Sequence, residues 1–176
     1  MVNYIAKWSG SAWSSLADAS GTVGVNGYVR AIYAVSSSEI YVGGLFTRAG
    51  ITDVNYIVKW DGSAWSALVG TPVGTNGAVY TIAKIGATDL YVGGEFTTAG
   101  GTAANYIAKY NTTGQAWSAL GSGANNIVRA LAVSGTTLYV GGDFSSVGGI
   151  SNTAYIAKYT GSAWESLSSA NPDGSV

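Results

Sequence analysis

Short apolar runs alternate with polar turns along the whole chain, and the runs return in the same order about every fifty residues. Each repeat holds four runs of strand length, rich in β-branched and aromatic residues and bounded by Gly, Ser, Asn or Asp. The first type is VRAIYAV at 29–35, VYTIAKI at 79–85 and VRALAV at 128–133. No segment carries a sustained helical period, so the pattern predicts an all-β protein.

The other three run types set the boundaries of the repeat. They are IYVGG or LYVGG, then YIAKW or a close variant, then AWSSL or a close variant. The tyrosines that open the third type are spaced 52, 50 and 49 residues apart: Tyr4, Tyr56, Tyr106 and Tyr155. A period near fifty residues with four antiparallel strands is typical of a β-propeller blade. We expect a half-blade over residues 3–16 and four-stranded blades over residues 28–68, 78–120 and 127–167.

This strand count leaves the propeller unfinished. The repeats supply four outer strand pairs but three inner ones, which is about three and a half blades. The closing NPDGSV at 171–176 aligns with VNGYV and TNGAV, which lead into first strands. Three blades cannot form a ring alone, and an unpaired half-blade has an exposed edge. The sequence therefore predicts completion by other copies of the chain, expected as a dimer, or else an engineered or truncated fragment of a larger propeller.

The order of the runs resembles the kelch repeat: a strand ending in Gly-Gly, a long loop, a strand with an aromatic residue and a strand with Trp. It is also similar to the related propeller of fungal cortical marker proteins. The YVGG and AW motifs carry the likeness, which covers essentially the whole chain, while the repeated NYIAKW strand departs from the usual kelch pattern. The resemblance implies a propeller of four-stranded blades.

Double glycines end each second strand, at 43–44, 93–94 and 141–142. Because glycine weakens a strand, a pair at this position needs a backbone reason. We expect the glycines to let a large neighbouring side chain, such as Trp or Tyr, lie against bare backbone. A phosphate-binding role would need a helix after the glycines, and the pattern predicts none.

Composition narrows the possible chemistry. The 176 residues include no Cys and no His and carry a net charge of −1. The commonest general base and the usual transition-metal ligands are therefore missing, and we expect no enzymatic activity, cofactor or metal. The small net charge argues against nucleic acid, and no apolar run reaches the roughly 18 residues of a membrane span. No signal peptide is recognised; low charge with many small hydroxyl residues slightly favours an extracellular, virion or cell-surface origin.

A candidate binding face lies where first strands begin and second strands end, at the mouth of the propeller axis. The residues of this face are Arg30, Tyr80, Arg129, Glu95 and Asp143, with Arg48 on the loop beyond. Loops that differ between repeats share this face, and binding sites concentrate on such loops. The partner would be a protein or a glycan. An Arg129–Asp143 ion pair is the structural alternative, because these positions are neighbours within one blade.

Two further sets of residues recur. We expect the repeated lysines to pack their stems between blades and to direct their ammonium groups to solvent or a carbonyl: Lys7, Lys59, Lys109 and Lys158. The predicted oligomer interface consists of Tyr4, Trp8, Trp13, Tyr155, Tyr159 and Trp164. The repeated aromatic residues lie within strands, which favours a scaffold over a carbohydrate-binding propeller, whose aromatic residues typically lie in loops. The segment Asn111–Thr113 fits a glycosylation sequon.

Overall fold

The computed structural model describes residues 3–167, and the aligned tail segment at 171–176 lies outside the described residues. The half-blade comprises β1 (Ala6–Trp8) and β2 (Trp13–Ser15). The first blade comprises β3 (Tyr28–Ser36), β4 (Glu39–Leu45), β7 (Ile57–Trp60) and β8 (Trp65–Ala67). The second comprises β9 (Val79–Ile85), β10 (Asp89–Gly94), β13 (Ile107–Asn111) and β14 (Ala116–Ala119). The third comprises β15 (Val128–Ser134), β16 (Thr137–Gly142), β17 (Ile156–Tyr159) and β18 (Trp164–Ser166).

Each blade is a separate antiparallel sheet in which the strands pair in chain order. Small hairpins decorate the loops of the first two blades, namely β5 (Arg48–Ala49) with β6 (Thr52–Asp53) and β11 (Thr98–Ala99) with β12 (Thr102–Ala103). The described part of the chain holds no helix, and hence none of a length and apolarity that could cross a bilayer. The all-β prediction with four-stranded propeller blades is confirmed.

The hydrophobic core is divided among the interfaces between consecutive blades. One cluster joins the half-blade to the first blade, a second joins the first blade to the second, and a third joins the second to the third. The outer two strands of each blade are held together by a facing aromatic pair, with ring centroids 4.8 Å apart for Trp60 and Trp65 and 4.9 Å apart for Tyr110 and Trp117. Such pairs contribute about 1 kcal/mol beyond the area that they bury.

The double glycines make room for a valine, and not for an aromatic ring as predicted. A Cβ on Gly43 would collide with Val79, the first residue of the next blade's inner strand, and a Cβ on Gly93 would collide with Val128. The second glycine of each pair lies against a backbone carbonyl of its own blade. Close packing of inner strands near the axis therefore explains the motif.

Aromatic rings do lie against bare glycine, but at a different place in the repeat. Gly50, Gly100 and Gly148 have φ between 55° and 65°, and a Cβ on each would approach the indole of Trp65, Trp117 and Trp164 respectively. These glycines belong to the loops between second and third strands. The left-handed backbone and the adjacent indole both exclude a larger residue there.

Three of the four repeated lysines place their ammonium groups near a carboxylate or a ring of their own blade, and not near a carbonyl as expected. Lys109 Nζ lies 3.2 Å from Asp89 Oδ2, and Lys158 Nζ lies 2.9 Å from Glu165 Oε2. Lys59 Nζ lies 5.8 Å from the ring centroid of Tyr41. Each of these lysines pairs with a tyrosine of the neighbouring second strand. The Lys59 and Lys109 contacts join the outer half of a blade to its inner half, whereas the Lys158 contact joins the third strand to the fourth.

Candidate functional site at the inner strands

The innermost strand of each full blade carries a β-bulge near its start. The pairing register shifts between Val29 and Ala31, and the same shift occurs at the equivalent points of β9 and β15. The residues left out of the pairing are Arg30, Tyr80 and Arg129. A bulge releases one side chain from the ladder and re-aims it. Three bulges at equivalent points thus present three side chains at one place.

These bulge residues line a common cleft of about 320 Å³, formed by Arg30, Tyr80 and Arg129. The guanidinium carbon of Arg129 lies 5.8 Å from the centroid of the Tyr80 ring, within the range of a cation–π contact. Side chains from three different blades therefore form one site, which we call the rim cleft.

Two of the bulge residues hold a carboxylate from the end of the second strand of their own blade. The Tyr80 hydroxyl donates to Glu95 Oε2 at 2.6 Å, and Arg129 Nε donates to Asp143 Oδ1 at 2.8 Å. The hydrogen bond to Glu95 raises the pKa of Tyr80, and partial burial adds to this rise. The hydrogen bonds from Arg129 lower the pKa of Asp143. The Arg129–Asp143 pair that the sequence offered as a structural alternative is thus present.

Arg30 differs from the other two bulge residues. The residue equivalent to Glu95 and Asp143 in its blade is Leu45, and Arg30 makes no ion pair with any described carboxylate. Its guanidinium carbon lies 6.0 Å from the centroid of the Tyr28 ring, which in turn contacts Tyr4 edge-on at 5.9 Å. The rim cleft therefore presents a cation without a carboxylate partner, a tyrosine whose hydroxyl binds Glu95, and the Arg129–Asp143 ion pair, which together suit a polar group more than an apolar one.

Arg48, the sixth candidate, does not line the rim cleft. It lies in β5, where its Nε is 3.3 Å from Asp53 Oδ1 across the small hairpin. Arg48 borders instead a shallow depression beside Asn3 and Asn26. The sequence placed Arg48 on the same face as the rim residues, but it could not show that Arg48 lies outside the rim cleft.

Sequence reasoning missed the repeated asparagines that tie the loops of this face together. The side chains of Asn26, Asn76 and Asn125 each accept two backbone N–H groups from the loop that follows the second strand, at 2.8–3.1 Å. Each precedes the first inner-strand valine by three residues. That fixed offset was a detectable signal for a structural role, because Asn commonly satisfies loop backbone groups.

The six predicted interface aromatics fall into two groups. Tyr4, Trp8, Trp13 and Tyr155 are more than half exposed. Tyr159 and Trp164 are half-buried, and the Trp164 indole donates to the carbonyl of Leu120 in the second blade at 2.9 Å. At equivalent positions between blades, Trp60, Trp65 and Tyr110 are buried. The exposed group therefore marks the two ends of the series of blades.

A search for metal-binding clusters and comparisons with known proteins complete the description of the site. Among residues 3–167, no group of three or more acidic side chains is arranged to hold a metal ion. A comparison with curated proteins found no match. Residues 14–176 match the family described as the Rax2 C-terminal beta propeller domain. That match covers most of the chain and agrees with the propeller repeat seen in the structure, so the chain belongs to the family of Rax2 C-terminal β-propeller domains.

Proposed function

We propose that this propeller repeat module is a non-catalytic scaffold or protein-interaction unit that associates with copies of itself to complete a ring, most simply as a dimer. The proposal is supported by one observation: side chains buried between blades in the middle of the series are exposed at its two ends. At the third-strand position that faces the following blade, Ile57 and Ile107 are fully buried, whereas Ile156 is 51% exposed.

The opposite end of the series has the matching exposure. On the inner strand, Ile82 packs against the preceding blade and is 8% exposed, whereas the equivalent Ile32 is 56% exposed. Trp8 and Trp13 belong to the half-blade at this same end of the series, and both are exposed. Their rings contact each other, with centroids 5.3 Å apart. Exposed apolar side chains at both ends of the series favour association.

Association between the two ends is head to tail, because the surfaces differ. A heterologous contact yields a closed ring only if the rotations sum to a full turn. One chain has three full blades and one half-blade, so two copies bring six full blades and two half-blades. We expect closure at this number, with Ile156 and Tyr155 of one copy against the half-blade of the next.

The lack of catalysis is supported by the state of the rim acids. Glu95 accepts a hydrogen bond from the Tyr80 phenol and Asp143 is paired with the Arg129 guanidinium, so both acids already have a structural partner. An assay of hydrolase activity on glycosides should give no turnover above that of a heat-denatured sample. Turnover that is lost with Glu95→Gln would contradict the non-catalytic assignment.

Solution mass tests the association. We expect light scattering at tens of micromolar to give about twice the 17.9 kDa chain mass. Ile156→Asp should return the mass to that of a monomer, because it buries a charge in the contact. Val69→Asp is the matched control, since Val69 is an equally exposed aliphatic residue in a loop between the first two blades. A wild-type monomer at these concentrations would refute self-association.

Carbohydrate binding is the second candidate, and the rim cleft is the observation that favours it. A partly exposed Tyr80 ring beside two arginines offers one apolar face and several hydrogen-bond donors, the combination that sugar hydroxyls and carboxylates use. A glycan array should then give hits that disappear with Tyr80→Ala. An array without hits leaves the scaffold as the only proposed function.

A further inference from the structure

The repeated lysine of the third strand has different surroundings in the first blade and in the second. In the second blade, Lys109 is paired with Asp89, the residue that opens the second strand. The equivalent of Asp89 in the first blade is Glu39, but Glu39 pairs with Lys84 of the second blade at 3.1 Å. Lys59, the equivalent of Lys109, therefore has no carboxylate within ion-pair distance among the described residues.

The acids nearest to Lys59 have other partners. The electrostatic field of Lys59 reaches two of them, Glu39 and Asp61. Glu39 accepts the Tyr41 hydroxyl at 2.8 Å beside its contact with Lys84, and Asp61 accepts two backbone N–H groups of its own turn at 2.7 and 2.8 Å. The Lys59 ammonium contacts the Tyr41 ring and makes no hydrogen bond within the described part of the chain. Its three N–H donors are thus available to an added acceptor.

Lys59 lines a cleft of about 240 Å³ between the first two blades. We call it the lysine cleft. The first blade contributes Tyr41, Lys59 and Ser66 to its walls, and the second contributes Tyr110, Thr112 and Gln115. An ammonium group, hydroxyl groups and an amide therefore converge on one space. Drug-sized ligands occupy pockets from about 300 Å³ upward, so the lysine cleft is the right size for a single ring.

The wall from the second blade depends on a hairpin that is longer than its equivalents. Six residues, 111–116, connect the aromatic pair of this blade, whereas four connect the pair in the first and third blades. Thr112 and Gln115 belong to this longer connection. Gln115 has a left-handed φ of 51°, while the shorter hairpins use Gly62 and Gly161 for their positive φ. A left-handed backbone is costly for a residue with a side chain, and such residues cluster at ligand-binding positions.

We propose that the lysine cleft binds a sugar acid of one ring, with the ligand carboxylate on Lys59 and the ring hydroxyls on Thr112 and Gln115. A carboxylate is the partner that this repeated position takes twice in the structure, at 3.2 Å from Lys109 and at 2.9 Å from Lys158. The ligand supplies to the first blade the group that the second and third blades supply from their own strands. Hydroxyl and amide side chains both donate and accept, as ring hydroxyls require.

The lysine cleft is separate from the rim cleft and goes beyond the function proposed above. The rim residues lie where first strands begin and second strands end, whereas Glu39 begins β4 and Lys59 lies near the end of β7. These positions are at opposite ends of the blade, and the two clefts share no lining residue. Both walls of the lysine cleft belong to one chain, so binding there does not require self-association.

Titration with sodium glucuronate tests the site directly. It is added to the full ¹⁵N-labelled chain and followed by the chemical shifts of the backbone amides. We expect saturable binding of one glucuronate per chain, with the largest shifts at 66–69 and 111–116. Glucose lacks the carboxylate and acetate lacks the ring, so each should bind about tenfold more weakly or worse.

Three variants locate the ligand. Lys59→Met keeps the apolar stem and should weaken glucuronate binding about tenfold or more. Lys158→Met removes the same charge at the equivalent position of the third blade and should bind as the wild type does, as should Tyr80→Ala in the rim cleft. Unchanged binding by Lys59→Met, loss of binding by Tyr80→Ala, or acetate or glucose binding as tightly as glucuronate would each overturn the proposal. Solution mass is measured without ligand, so a failure of self-association is distinguishable from a failure here.

Discussion

The second blade and the two ends of the series are built from the same repeat, yet equivalent residues have different surroundings. In the second blade, Val79, Val92 and Ile107 are fully buried because a blade lies on each side. At the ends, Ile32 and Ile156 are exposed. The strands form in both places, so pairing within a blade does not need a neighbour. What a neighbouring blade adds is burial, and the cost of the same substitution at equivalent positions should therefore differ from blade to blade.

The first glycine of the Gly-Gly pair gives the largest expected contrast. A Cβ on Gly93 would meet Val128 and Thr81, whereas nothing lies closer than 3.8 Å to a Cβ on Gly141. We expect Gly93→Val to lower the free energy of unfolding by about 3 kcal/mol, or to prevent folding. Gly141→Val should change it by less than about 0.5 kcal/mol. Urea denaturation of the two variants measures the difference. Equal losses of unfolding free energy would show that the space beside Gly141 is filled in solution.

Truncation of the third-strand isoleucine is the next contrast. Ile107→Ala should cost about 2–4 kcal/mol because it leaves a cavity between the second and third blades. Ile156→Ala removes the same atoms from an exposed position and should cost less than about 1 kcal/mol. Thermal denaturation monitored by near-ultraviolet circular dichroism ranks the two. A large loss for Ile156→Ala would mean that this end is covered in solution, and its dependence on protein concentration would then identify a second copy.

A smaller effect is expected at an ion pair that joins the first two blades. Lys84 Nζ lies 3.1 Å from Glu39 Oε1, and the Lys84 side chain is only 7% exposed. Lys84→Met should cost about 1–2 kcal/mol, because Glu39 loses a charged partner while it stays partly buried. Lys158→Met, which removes an exposed pair within the third blade, should have no measurable effect. A double-mutant cycle with Glu39→Gln tests whether the loss at Lys84 comes from the pair.

Acid should weaken the same blade interface by the smallest amount. Burial by itself would raise the pKa of Glu39, but hydrogen bonds from Tyr41 and Lys84 outweigh it and hold the pKa below the ordinary value of 4.5. Since the folded pKa is the lower one, the stabilisation is complete above about pH 4.5 and is lost as the pH falls through the folded value. The urea midpoint should fall with acidification below this pH. Glu39→Gln should show a shallower fall, and an unchanged slope would exclude Glu39 as a contributor.

The repeat itself was readable from the sequence because a blade is a local structure. Four runs of period two with turns between them specify four antiparallel strands, and the spacing of Tyr4, Tyr56, Tyr106 and Tyr155 specifies where they recur. The charged neighbours within one blade were also readable: Arg129 and Asp143 meet because adjacent strands bring their positions together.

Contacts between blades were not readable in the same way. The sequence shows that glycine is required at 43 and 93, but only the packing of the next blade shows that a valine fills the space. The bulges at Arg30, Tyr80 and Arg129 leave no mark in the apolar pattern, because a single skipped residue does not change the run that contains it. Arg48 was grouped with these residues for the same reason: loop residues on one face cannot be ranked by distance from the axis without the backbone.

The bulges also bear on how the axis can change over evolutionary time. A bulge residue is left out of the backbone pairing, so its replacement leaves the register of the sheet unchanged. The three blades already illustrate this freedom, with an arginine, a tyrosine and an arginine on the same backbone frame. Mutation at these positions therefore costs only side-chain contacts such as the Arg129–Asp143 pair, and one propeller architecture can acquire a different recognition chemistry by exchanging one residue per blade.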